Sequence, residues 1–303
     1  MKPSRISRSC SQQRTADSGQ QGMGRSFASL LAVGCWLLAV GCWLLAVRSS
    51  PFCQATHMNR PVLIMSALVG EVALLRERMS GSEAITFGGH GFHVGVLESR
   101  DVIVTASGIG KVNAAMVATL ALDHFQPRVV IFTGVAGAVD DALNIGDVIV
   151  AEHVLHHDTG VLEAEGFRVY QSGHVPFLNP TEELGYRPSD DLLDRVRRRL
   201  VDLGLSPVLG EQPNVVFGTV VTGDQFLESD SERRRLHSTF GAQAAEMEGA
   251  AVAQVAEHFG VDHLVIRAVS DLAGSDSVLD FERFLDEVTV NSAEVVLAVL
   301  EVI

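Results

Sequence analysis

The last 246 of the 303 residues contain no cysteine: Cys10, Cys35, Cys42 and Cys53 all lie ahead of Met58. Residues 58–303 therefore hold neither an internal disulfide nor a cysteine-ligated zinc. Aromatic residues make up only 6% of the chain and charged residues 20%, against 47% hydrophobic. That is a globular composition, which excludes a disordered, collagen-like or coiled-coil chain. Positive charge is also scarce after residue 57. Residues 1–57 carry six basic side chains (Lys2, Arg5, Arg8, Arg14, Arg25, Arg48) and one acid, Asp17. The leader is thus net +5 within a chain of −14, which leaves −19 on residues 58–303. A body of that sign repels phosphate backbones and excludes nucleic acid as the expected partner.

The first 57 residues separate from the rest. Residues 1–26 show no apolar periodicity, and 27–47 (FASLLAVGCWLLAVGCWLLAV) run without a charge. Such a run is long enough to span a bilayer as a helix, and the basic residues ahead of it favour export of the chain beyond it. Cys53-Gln54-Ala55 has the small-residue spacing of a signal cleavage site. The same stretch repeats AVGCWLL in tandem, as translated repetitive DNA ahead of a start at Met58 would. Two readings stand: an exported or membrane-anchored protein whose membrane contact is 27–47, or a cytoplasmic protein beginning at Met58.

Residues 58–303 alternate strand-like and helix-like segments. Apolar runs at 61–67, 101–107, 128–133, 147–151, 215–222 and 263–269 have the length and β-branched content of buried strands. Gly88-Gly89 marks a hairpin between strands near 85–87 and 92–97. Helical patterns occupy 111–125, 190–201, 229–240, 247–259 and the segment from 281 onward. With no internal repeat or linker, this predicts one α/β domain: a three-layer αβα arrangement around a mostly parallel, partly mixed sheet.

Ligands in such folds bind at the carboxyl ends of the strands. The residues there are Glu71, Ser107–Gly110, Gly134–Gly137, Gly223–Leu227 and Ser270-Asp271, an apolar, glycine-rich and acidic set. It holds no His–Ser or His–Cys nucleophile pair, and carboxylates so placed suit acid–base work on a neutral or cationic substrate. Each also has a purely structural use. Asp271 can cap a turn, Glu246 and Glu248 can sit at a helix dipole, Glu71 can be a solvated first-turn acid, and Gly108-x-Gly110 can be a tight turn. Phe226, Phe281 and Tyr186 can be ordinary packing residues. Glu152-His153-x-x-His156-His157-Asp158 has metal-binding residue types, but on a strand its histidines do not share one face. No metal or cofactor is expected.

The combination is more specific than its parts. IMSALVGEVALL (64–75), SGIGKVNAA (107–115), TGVAGAV (133–139), NIGDVIV (144–150), TGDQF (222–226), AEMEGAAVA (245–253) and RAVSDLAG (267–274) occur in this order. Together they resemble the 5′-methylthioadenosine/S-adenosylhomocysteine nucleosidases of the nucleoside phosphorylase superfamily, across all of 58–303. The resemblance implies hydrolysis of an N-ribosidic bond. Asp271 would protonate purine N7, Ser270 would orient it, and Glu71 would activate water. Glu248 would hold the ribose hydroxyls over Met247, with Glu246 a second carboxylate nearby. Phe226, the Leu227 backbone and Phe281 would frame the purine, and Ile109 and Gly137 would line the same pocket. Arg267 would serve an anion or pair with one of these acids. Tyr186 is similar in position to an aromatic that family homodimers lend to the neighbouring pocket.

Phosphate-using relatives place an arginine after the first strand, where SALVGE (66–71) supplies only an acid. Hydrolysis is therefore expected over phosphorolysis. A phosphorylase, a nucleosidase for a futalosine- or adenosylhopane-like substrate, and an exported nucleoside-binding protein are the alternatives. Val135, Ala138 and Val69-Gly70 depart from the family pattern, and Val135 removes a hydroxyl from the site.

Overall fold

A computed structural model describes residues 60–274 and 277–303. The leader 1–57, with the run 27–47, lies outside the described residues. Among the described residues no helix is long and apolar enough to cross a membrane.

Nine strands form one mixed sheet: β1 (Val62–Ser66), β2 (Ser80–Phe87), β3 (His90–Leu97), β4 (Arg100–Ala106), β5 (Val129–Ala138), β6 (Val148–His156), β9 (Val215–Thr222), β10 (Ala242–Glu246) and β11 (Asp262–Asp271). Their order is β10-β9-β6-β11-β5-β1-β4-β3-β2. The central pairs β1–β4, β1–β5 and β5–β11 are parallel, as are β6–β9 and β9–β10, while β11–β6 and the β2–β3–β4 meander are antiparallel. A small hairpin, β7 (Gly160–Glu163) and β8 (Gly166–Val169), stands apart from this sheet.

The strand alternation sorts side chains into two cores. Val62, Ile64, Val102, Val104, Val129 and Ile131 face one way. They pack against α1 (Ala73–Arg78), α3 (Asp190–Leu200) and α6 (Ser277–Leu300) through residues such as Leu75, Leu192, Val196 and Val299. Leu63, Met65, Ile103, Val130 and Phe132 face the other way, against α2 (Lys111–Phe125) and α5 (Gly249–His258). Period 2 in the strands and i, i+4 spacing in the helices thus build the three layers. The helix α4 (Asp230–Phe240) packs at the sheet edge through Leu236. Ser189 and Ser229 cap α3 and α4, accepting the amides of Leu192 (3.3 Å) and Glu232 (3.4 Å).

One feature departs from an open sheet. The glycine-rich 134–138, expected as a loop after a strand, continues β5. There Ala138 and Gly137 pair antiparallel with Ala244 and Ala245 of β10, so β5, β11, β6, β9 and β10 close into a ring. Only small residues let three strands converge: Gly137 is opposite both Ala245 and Asp271. The carboxyl ends of the ring strands consequently meet around one cleft.

Candidate active site

That cleft has a cavity volume of about 190 Å³ and opens to solvent. Its acidic lining comes from Glu71, Glu246, Glu248 and Asp271, and among the described residues no lysine or arginine lines it. Ser270, Met247, Phe226, Leu227, Phe281, Ile109 and Gly137 line it too. Twelve of the thirteen residues singled out from the sequence are accounted for at or beneath this pocket, Arg267 being the one beneath it.

Glu71 sits in a short 3₁₀ turn (Gly70–Val72) directly after β1 and is 3% exposed, so it is not the solvated acid its position allows. The Leu68 amide donates to its Oε2 (2.7 Å) and the Val135 amide to its Oε1 (3.0 Å). Burial pushes its pKa up, against the opposing pull of Arg267 and these amides. The carboxylate is thereby fixed in orientation and held less acidic than a free glutamate.

Asp271 ends β11. Ser270 Oγ donates to its Oδ2 (2.9 Å) and the Ala273 amide to its Oδ1 (2.8 Å). Burial raises its pKa above the ordinary aspartate value, and the charge of Asp280 adds to the rise. Gly137 faces it closely: a Cβ there would lie 2.8 Å from Asp271 Oδ1. Glu71 is thus anchored at Val135 and Asp271 beside Gly137, two residues along one strand, a displacement of roughly 7 Å.

Beneath the cleft lies a buried charge cluster. Arg267 is 0% exposed, with its guanidinium 4.4 Å from the Phe132 ring centroid. Its Nη2 donates to Glu246 and, at 3.4 Å, to Glu248. Glu246 also accepts from Thr222 Oγ1 and from the amides of Glu248 (3.1 Å) and Gly249 (2.8 Å). Its acceptors are spent on the start of α5 and on Arg267, so Glu246 does serve a helix dipole and organises the site from below. Glu248 accepts the Gly110 amide (2.8 Å). Its pKa is raised to about 7 by burial and then by Glu246, with Arg267 opposing. Burial works against the charge of Arg267 and is outweighed by Glu246, Glu248 and Glu71. Gly134, at φ +152°, makes this convergence possible: a Cβ there would fall 2.4 Å from Glu71 Oε1 and 2.5 Å from Arg267 Nη1.

At the mouth, the rings of Phe226 and Phe281 meet edge to face, with centroids 6.0 Å apart. Phe226 is 47% exposed, so a flat apolar face is presented to the cleft. Ser277 Oγ donates to the Leu227 carbonyl (3.0 Å) and ties this loop to α6.

Tyr186 is the exception. It is 4% exposed, bridges Val154 through the backbone and lies edge-on to His156, away from the cleft. An aromatic buried within its own chain has no ring to lend to a neighbour. Asp224, within the strand-end set Gly223–Leu227, accepts the Lys111 amide on its Oδ1 (2.8 Å) at the start of α2. His153, His156 and His157 disperse: His153 bonds the Leu184 carbonyl (2.6 Å) and His156 bonds Gln254 (3.3 Å).

Acids gathered at the strand ends of a nine-stranded α/β fold form a site suited to acid–base chemistry. The sequence model of the phosphorylase superfamily matches residues 61–301. A Mycobacterium bovis 5′-methylthioadenosine/S-adenosylhomocysteine nucleosidase is 44% identical over 246 residues, covering 79% of this chain and 96% of that protein. The Streptococcus pneumoniae nucleosidase of that name, solved with the transition-state inhibitor MT-ImmA, superposes with TM-score 0.69 at 32% identity, covering 80% of this chain and 99% of its own. A futalosine hydrolase mutant from Helicobacter pylori has TM-score 0.69 at 29% identity, covering 80% and 99%. The chain belongs to the phosphorylase superfamily and, within it, to the 5′-methylthioadenosine/S-adenosylhomocysteine nucleosidase family.

Proposed function

We propose that this protein hydrolyses the N-ribosidic bond of 5′-methylthioadenosine, S-adenosylhomocysteine or a closely related 5′-substituted adenosine, releasing adenine and the 5′-substituted ribose. The observation that carries the reading is a cleft with four carboxylates in its lining and, among the described residues, no lysine or arginine. Positive charge developing on the ribose is stabilised there, while a phosphate nucleophile is repelled.

Each step uses a group already described. Asp271, acting as the acid, gives its carboxyl proton to purine N7, and the base leaves as neutral adenine. Glu71 takes a proton from water, whose oxygen bonds to C1′ as the bond to N9 breaks. Proton exchange through solvent returns Glu71 and Asp271 to their starting states. Glu248 accepts the ribose hydroxyls above Met247, and Phe226, Leu227 and Phe281 enclose the purine. Arg267 and Glu246 position Glu248.

A homodimer suits the surface. Val112 (78% exposed) and Met116 (51%) on α2, with Leu162 and Phe167 on the β7–β8 hairpin, are apolar side chains of the kind a symmetric interface covers. The aromatic lent to a neighbouring pocket is then Phe167 rather than Tyr186.

The test is purine-base release by the full-length protein, adenine from methylthioadenosine and adenosylhomocysteine and hypoxanthine from futalosine, with and without phosphate. Phosphate-independent release with free sugar is expected from the first two. Release only with phosphate, yielding a sugar 1-phosphate, overturns the role of Glu71, and release from futalosine alone moves the substrate class.

A further inference from the structure

Lys111 is the only lysine after Lys2. It opens α2, and its Nζ donates to Asp158 Oδ1 at 2.6 Å with Asp224 Oδ2 3.9 Å away. Asp158 accepts a second bond on its other oxygen, from the Asp224 amide (2.9 Å). Asp224 closes the circuit by accepting the Lys111 amide (2.8 Å). Three segments distant in sequence are joined: the helix start after β4, the turn after β6, and the 223–229 loop that carries Phe226 and Leu227. Burial would raise the pKa of Asp158, but the Lys111 and Asp224 bonds outweigh it and hold it low, as expected of a charge-assisted network.

The circuit also reaches the sugar side. The two consecutive amides at the start of α2 are divided between two carboxylates: that of Gly110 goes to Glu248 and that of Lys111 to Asp224. One helix terminus therefore holds both the ribose acid and the loop of the purine pocket, and its partial positive charge favours both.

Resting on the reading of Phe226 and Leu227 as the purine pocket, we propose that Lys111, Asp158 and Asp224 form a latch that sets the position of the 223–229 loop and hence the affinity for the purine base. These are positioning residues: none of the three lines the cleft, and they act through Phe226 and Leu227. The chemistry between Glu71 and Asp271 lies on other strands, so loosening the latch weakens purine binding and spares the bond-breaking step.

The experiment measures adenine dissociation constants by calorimetry, and kcat and KM with methylthioadenosine, for the full-length wild type and its Asp158→Asn, Lys111→Met and Phe226→Ala variants. The two latch variants are expected to raise the adenine Kd and KM about tenfold, the scale of one lost charge-assisted hydrogen bond, with kcat changed less than about threefold. The doubly substituted Lys111→Met/Asp158→Asn protein is expected to be no weaker than the worse single variant, since both break one circuit. An unchanged adenine Kd in either folded latch variant overturns the proposal, as does a fall in kcat equal to the rise in KM. If Asp158→Asn fails to fold, Lys111→Met decides alone. Phe226→Ala separates the two readings: weakened adenine binding there with none in the latch variants defeats only the latch, and no weakening in Phe226→Ala defeats the purine pocket itself.

Discussion

Gly137 and Asp271 face each other across the β5–β11 pairing so closely that a Cβ at 137 would lie 2.8 Å from Asp271 Oδ1 and 3.0 Å from the Ala273 Cβ. The missing side chain is what lets the carboxyl occupy the cleft wall. Gly137→Ala must displace either the carboxyl or the strand. A misplacement of about 1 Å at a reacting group costs on the order of a hundredfold in rate. We expect kcat to fall by that order, with Tm lowered by only a few degrees, as read by steady-state kinetics and calorimetric melting.

Asp271→Asn keeps the acceptor for the Ala273 amide but has no acidic proton for the leaving purine. Loss of a general acid typically costs roughly 10²- to 10⁴-fold. Turnover should fall by that much while the affinity for a transition-state inhibitor is largely retained, as measured in single-turnover assays and by calorimetry. Near-normal turnover would refute the acid assignment. Glu71→Gln is expected to behave likewise.

As the proposed acceptor of the ribose hydroxyls, Glu248 is expected to couple ligand binding to pH. Burial, and then Glu246, lift its pKa to about 7, and only the ionised form accepts both ribose hydroxyls. KM should therefore rise as pH drops below about 7. For stability the sign is reversed. An acid whose folded pKa exceeds its unfolded value favours the fold at low pH, and that contribution is lost as pH rises from the unfolded pKa of 4.5 through the folded pKa of about 7. Glu248→Gln should raise Tm at pH 8 in the absence of ligand, lose that advantage near pH 4.5, and flatten the pH dependence of KM. Melting and kinetic profiles from pH 4.5 to 8.5 would check all three.

The fold was largely legible because both cores rest on simple periods. The buried runs 61–67, 101–107 and 263–269 and the helical stretch 111–125 reappear with bounds shifted by a residue or two. The extension of β5 through Gly134–Ala138 was not legible. Glycine and alanine there read as a loop, and only pairing with β10, more than a hundred residues later, makes them strand. The acids of the cleft were visible singly, each with an equally good structural use. What single residues could not show is that Glu71, Glu246 and Glu248 share one buried arginine. Tyr186 shows another limit: its burial comes from backbone pairing with Val154, more than thirty residues earlier, which its own position in the sequence does not reveal.

The shared arginine has a measurable consequence. Arg267 lies beneath three carboxylates and is their only buried cation among the described residues. Arg267→Met matches its apolar stem and its contact with Phe132 but leaves Glu246, Glu248 and Glu71 without compensation. Removing one partner of a buried ion pair costs about 3–5 kcal/mol. Chemical denaturation at pH 8 should show a loss of that size. It should shrink as pH falls toward 5, where the carboxylates take up protons instead. A pH-independent loss would mean that packing against Phe132, not charge, is what Arg267 supplies.

His263 sets a separate acid limit, remote from catalysis. It lies at the start of β11, 4% exposed, and its Nε2 has no hydrogen-bond partner among the described residues. Burial lowers its pKa to about 4, with Asp262 opposing, from the ordinary 6.5. A base whose folded pKa is depressed is protonated first in the unfolded chain, so stability declines as pH falls below about 6.5 and stops declining near pH 4. The full span of about 2.5 pKa units corresponds to about 3 kcal/mol. His263→Leu fills a similar volume and cannot take a proton. Between pH 7 and pH 4.5 the wild type should lose about 2 kcal/mol more than the variant in urea denaturation, while kcat at pH 7 is the same for both. Parallel stability profiles for the two proteins would show that His263 is already hydrated or charged in the fold.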